Sequence, residues 1–268
     1  MSKQLTKAEK VKAFKPALQI PPPKLNLLSI NSDAKTSKGQ AAGTYTAVLY
    51  LAPAEEADAN NLNRHGRRFR NICAWASPGC RDGCLYRSGR AEHLPSIPKA
   101  RIRKTLMMFD QPELFYAMLK ADLAMLAAWQ EATGNEVAVR LDGTSDRHLA
   151  KRFARLFPNL IFYDYTKSIK HLLRNNIPNL HLTFSRSELN EAECLEALAH
   201  GFSVAVVWRS AKQIPQTFWG FPVVNGDKDD RRFADRETFN LDPDQPFIVA
   251  LTAKGKRAKA DTTGFVLD

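Results

Sequence analysis

From residue 137 onward the chain alternates short β-prone apolar runs with segments of helical periodicity. Val137–Leu141, Leu160–Tyr163, Leu180–Phe184, Phe202–Trp208, Phe221–Val224 and Phe247–Leu251 read as strands. Helices are predicted over 147–157, 168–174 and 188–200, between the first four of these. Strand starts recur about every twenty residues, the span of parallel βα units. Upstream, 97–109 and 112–133 carry apolar residues at three- and four-residue spacing, as at Leu114, Met118, Leu119 and Leu123. Pro112 suits a first helical turn and Gly134 a C-terminal stop. Thr44–Leu51 reads as one more strand. This pattern predicts an α/β fold: a single domain with a mostly parallel sheet, forming a complete or partial (β/α) barrel of TIM-like type.

The N-terminal part is different. Residues 1–24 are Lys-rich and end in Pro21-Pro22-Pro23, which reads as an extended basic tail ahead of a domain spanning 25–268. Residues 25–43 read as a loop, and 55–72 as a polar, Arg-rich connection.

Polar clusters follow almost every predicted strand, where ligands bind in parallel α/β folds. Asp142, Thr144, Asp146, Asp164, Lys167, Ser185, Arg186, Asp227 and Lys254 are the candidate substrate- or cofactor-binding residues. Asp146 and Ser187 also suit helix N-caps. The six histidines are scattered, and His181 and His200 read as structural.

The 268-residue chain carries a net charge of +11, unevenly distributed. Residues 1–40 hold eight lysines against Glu9 and Asp33. A second basic stretch runs from Arg64 to Lys104, and within it Arg67, Arg68, Arg70, Arg87 and Arg90 are candidate nucleic-acid contacts. A solvated basic surface is the plainer explanation of the same residues. No secretory signal and no apolar run of membrane-spanning length is present, so a cytoplasmic location and no membrane partner are expected.

Three of the four cysteines lie in one loop, Cys73-x6-Cys80-x3-Cys84, with turns at Pro78-Gly79 and Gly83. Clustered thiols in a reducing compartment point to metal or chemistry rather than to disulfides. Three readings are open. The thiols hold a [4Fe-4S] cluster with one iron left free. They hold zinc, with His65 or His93 as fourth ligand. Or they are small buried residues with no ligand. Cys194 falls on a predicted helix with Leu195 and Leu198 and reads as core.

The run Cys73…Ser77-Pro78-Gly79-Cys80…Cys84-Leu85-Tyr86 resembles the gene-product-88-like family of bacteriophage and prophage proteins. The resemblance extends through Arg140–Asp146, Phe162–Lys167, Leu182–Ser187, Asn225–Asp227 with Asp230, and Lys254-Gly255 with Asp261. It implies no particular activity. More distantly, three clustered cysteines ahead of βα repeats look like radical S-adenosylmethionine (radical SAM) enzymes. Cys80-x3-Cys84 and Tyr86 match that loop, whereas Arg87 stands where its third cysteine falls and Cys73 supplies a thiol from upstream. That likeness implies a barrel, a cluster on Cys73, Cys80 and Cys84, bound S-adenosylmethionine and radical chemistry; the basic flank points to a nucleotide or nucleic-acid-related substrate.

Two further functions compete. One is a zinc-stabilised nucleic-acid-binding protein without catalysis, with Trp75 and Tyr86 available for base stacking. The other is a divalent-metal phosphoryl-transfer enzyme or nuclease using Asp142, Asp146, Asp227, Asp229 and Asp230. No P-loop or dinucleotide fingerprint is present.

Overall fold

The computed structural model describes residues 20–31, 36–41, 43–58 and 70–268. Most of the expected tail, together with His65, Arg67 and Arg68, lies outside the described residues. Ile20, near the end of that tail, is docked: its carbonyl accepts from Trp129 Nε1 at 3.0 Å.

Among the described residues, ten strands make one mixed sheet: β1 (Ser29–Ile30), β2 (Thr44–Val48), β3 (Glu136–Arg140), β4 (Ile161–Thr166), β5 (Leu180–Ser185), β6 (Val204–Trp208), β7 (Thr217–Phe218), β8 (Phe221–Asn225), β9 (Ile248–Thr252) and β10 (Val266–Leu267). The spatial order is β1-β2-β3-β4-β5-β6-β9-β8-β7, with β10 also on β6. The seven strands from β2 to β8 in that order run parallel. Each strand predicted from the sequence forms within a few residues of its expected span. The helices Ser96–Asp110, Pro112–Thr133, Ile169–Leu173 and Glu191–Ala199 form as well. Gly134 ends the long helix in the left-handed conformation, φ 70°, which glycine adopts without steric penalty. The region 25–43, expected as a loop, carries β1 and the short helix Thr36–Ala41.

Strand alternation gives the sheet two faces. Val137, Val139, Phe162, Leu182, Phe184, Val204, Val206 and Ile248 share one core with Phe115, Leu119, Leu123 and Leu126 of the long helix. Ala205, Val224 and Val249 join a smaller apolar cluster with Phe239 and Leu241. The segment after β8 packs on that second side. Asp230 accepts from Tyr163 Oη at 3.0 Å and lies 3.5 Å from Arg140, while Arg231 reaches Thr44 at the start of β2.

The sheet does not close, so the TIM-like barrel expected from the repeat is not confirmed. The reason lies at the edges. β1 pairs antiparallel with β2, and β7 pairs antiparallel with β8, so the edges that a barrel would join are already occupied. Neighbouring strands also part at their carboxyl ends. β3 and β4 pair at only two positions. Asp164 then bridges the gap, accepting from Leu141 N–H and Asp142 N–H at 3.2 and 3.0 Å. β5 pairs with β6 only through Ser185, beyond which β10 takes over the pairing with β6. Among the described residues no helix is long and apolar enough to cross a membrane.

Candidate functional site

The cysteine loop lies across the carboxyl ends of β3, β4 and β5 and is tied there at two points. At its start, Cys73 forms a parallel bridge with Asp146, whose N–H donates to Ile72 O at 2.9 Å. At its centre, Glu188 accepts from Ser77 Oγ at 2.6 Å and from Gly79 N–H at 2.8 Å. Ser77 also caps the short helix Pro78–Asp82 by accepting from Cys80 N–H, with Pro78 in the first turn. Gly79 is required by packing: a Cβ there would sit 2.1 Å from Thr263 Oγ1.

A carboxylate accepting two such bonds contributes on the order of 3 kcal/mol to loop docking. Glu188→Ala should therefore speed amide exchange at Gly79 while leaving the core amide of Val206 protected, as read by hydrogen–deuterium exchange. Equal protection of Gly79 in both proteins would remove Glu188 from this role.

The three loop cysteines line one cavity of about 200 Å³, together with Ala54, Glu55, Ala76 and Arg81. Burial pushes the Cys73 thiol well up, with the Cys84 and Cys80 thiolates and Asp146 adding to the rise and Lys167 opposing it. Cys84 is raised chiefly by burial, and Cys80 again adds. The thiols thus stand within one another's field. Among the described residues, no group of three or more His, Cys, Asp or Glu side chains is gathered in an arrangement that would hold a metal ion. Cys194 is fully buried in the main core. His93 is exposed and does not line the cysteine cavity.

The candidate rim residues divide by what they touch. Asp146, Lys167 and Ser185 flank the loop: Asp146 accepts from Lys167 N–H at 2.8 Å, and Lys167 Nζ donates to Ser185 Oγ at 2.8 Å. Asp142 is 4 % exposed and binds its own loop, accepting from Ser145 Oγ and from the N–H groups of Arg147 and Leu149. Thr144 bonds both backbone groups of Leu51, and Arg186 donates to the carbonyls of Gly264 and Phe265. Asp164, as above, holds two backbone amides. Asp227 accepts from Thr252 Oγ1 at 2.5 Å and from Lys254 at 3.1 Å, beyond β8 and β9.

The five aspartates proposed for Mg²⁺ do not assemble. Asp229 is held by Arg231 and Asp230 by Tyr163 and Arg140. Arg70, expected to grip phosphate, is 4 % exposed and clamped 2.6 Å from both Asp58 and Asp110. Arg87 pairs with Glu56 at 2.5 Å, and Arg90 is exposed.

Two site residues escaped the sequence pattern. Glu188 is one. His148 is the other, with φ 57°, a left-handed backbone uncommon outside glycine. Its Nε2 lies 3.2 Å from Asp146 Oδ1 and 3.3 Å from Thr166 Oγ1. Its ring stacks between exposed Trp75 at 4.7 Å and His171 at 3.7 Å. Burial lowers the His171 imidazole to about 4. The spacing Asp146-x-His148 was the one available signal, and a two-residue acid–histidine spacing is too common to single out.

The family model described as gene product 88 matches residues 26–268. No curated protein and no solved structure matches the chain, and none of these comparisons points to radical SAM enzymes. A match over the whole cysteine loop, the sheet and its rim makes this chain a member of the gene product 88 family.

Proposed function

We propose that this protein is an iron–sulfur protein that carries a [4Fe-4S] cluster on Cys73, Cys80 and Cys84 and acts on a nucleotide or nucleic-acid-related substrate. One observation carries the reading: three thiols from one loop line one cavity, and that loop is tied to the strand-end rim. By residue type the three thiols match such a cluster, since thiolates are its standard ligands and three of them would leave one iron open, although they are not gathered round a single metal-ion position among the described residues. When bound on Cys73, Cys80 and Cys84, such a cluster would supply an open iron at which a cofactor such as S-adenosylmethionine could coordinate.

The chain's own residues have separate tasks. Ser77 and Glu188 hold the loop on the rim. Lys167, whose field already opposes the rise of the Cys73 thiol, offsets negative charge at the cysteines. Asp146 and His148 form a pair able to carry a proton beside Cys73. Zinc at the same thiols is the alternative.

The test is purification without oxygen, followed by iron, zinc and acid-labile sulfide analysis and a visible absorption spectrum. A brown protein with matched iron and sulfide supports the cluster. Zinc without iron moves the reading to a structural metal, and a colourless metal-free protein removes it.

A further inference from the structure

We propose that a second cavity, of about 400 Å³, binds a phosphate-bearing small molecule of mononucleotide size beside Cys84. The cavity forms where residues 83–88 meet residues 254–258, and Cys84 lines both it and the cysteine cavity. Its volume falls toward the lower end of small-molecule sites, about 300–1,000 Å³. A ligand seated here therefore lies against the site assigned above. Its role as substrate rests on the iron–sulfur reading, whereas its binding does not.

Charge selects the ligand class. Arg87, Lys254, Lys256 and Arg257 line the cavity against only Glu56 and Glu92. Three of the four cations have carboxylate neighbours: Arg87 with Glu56, Lys254 with Asp227 and Arg257 with Asp82. The last pair is 3.7 Å apart, with both side chains more than half exposed. Pairs of that kind are worth little and exchange readily with a better anion. Lys256 is exposed and has no ion-pair partner among the described residues. A phosphate group takes up several such cations at once through charge-assisted hydrogen bonds.

A polar group is also left over. Tyr86, another lining residue, is 2 % exposed and has a phenolic hydroxyl without a hydrogen-bond partner among the described residues. A buried donor left unpaired is unfavourable. The closeness of the two walls adds shape. Gly255, at φ +79°, lies against Ser88, where a Cβ would come within 3.2 Å of the Ser88 Cβ.

The experiment is calorimetric titration of the full chain, prepared without oxygen, with ADP, adenosine and inorganic phosphate. ADP should bind, phosphate should compete with it, and adenosine should bind at least about tenfold more weakly. The surface variant K256E/R257E should weaken ADP by a similar factor with its circular dichroism and iron content unchanged. No ADP binding by the wild type, equal binding by that variant, or adenosine binding as tightly as ADP overturns the proposal. C84S separates the two readings: loss of iron with retained ADP binding is expected. A wild type that binds ADP but holds no iron would sink only the cluster.

Discussion

Serine at Cys73, Cys80 or Cys84 is expected to lower the iron retained per chain at least about tenfold, whereas Cys194→Ser leaves it unchanged. The three loop cysteines line the same cavity, so removal of one leaves only two thiols there. A serine hydroxyl stays protonated near neutral pH and does not replace a thiolate ligand. Cys194 provides the matched control, because its Sγ lies in the core 3.5 Å from Asn190 Oδ1, away from the loop. Iron and sulfide analysis of the four variants, each checked for folding by thermal unfolding, decides the matter. Equal iron in the Cys73 and Cys194 variants would show that the loop is not the ligand set.

The protonated Asp235 carboxyl should contribute stability that is lost as pH rises from mildly acidic to neutral, and Asp235→Asn should remove that contribution. Asp235 is 1 % exposed, beside Arg232 at 3.3 Å, with neither carboxylate oxygen accepting a hydrogen bond among the described residues. Burial pushes its carboxyl from 3.8 up to about 7; Arg232 opposes the rise, and Asp229 and Asp230 add to it. The native protein therefore keeps a proton between those two values that the unfolded chain has released. Stability contributed by the neutral acid is lost as pH rises through that window. A shift of about three units corresponds to at most about 4 kcal/mol once the window is crossed. Asparagine does not titrate, so the urea midpoint of the wild type should fall relative to that of the variant between about pH 5 and about pH 8. Parallel pH profiles for the two proteins would contradict the assignment. The effect bears on the site because Asp235 follows the segment that crosses under Arg140 and Tyr163.

Local pattern alone was enough for the repeating strand–helix order, because apolar spacing is a property of neighbouring residues. Val204, Val206 and Trp208 alternate as a strand buried on the helix side must, and Gly134 stops the long helix where its φ permits. The cysteine spacing and its turn residues were equally legible, but the short helix that Ser77 caps was not read from them.

Closure was not. It depended on β1 and β7, two-residue strands too short to carry any periodicity, which occupy the edges a barrel would join. The roles of the rim residues were likewise hidden. Asp142, Asp146 and Asp164 look alike in sequence, yet Asp164 meets the backbone amides left where β3 parts from β4, Asp142 those of its own loop, and Asp146 that of Lys167 beside the cysteines. Arg70 belongs to a run of arginines, and only folding brings Asp58 and Asp110 to either side of it. His148 gained its place when three distant segments stacked Trp75, its own ring and His171 together. Periodicity and turn chemistry are written in consecutive residues, whereas edge pairing, burial of charge and the sharing of Cys84 by two cavities arise between residues far apart in the chain.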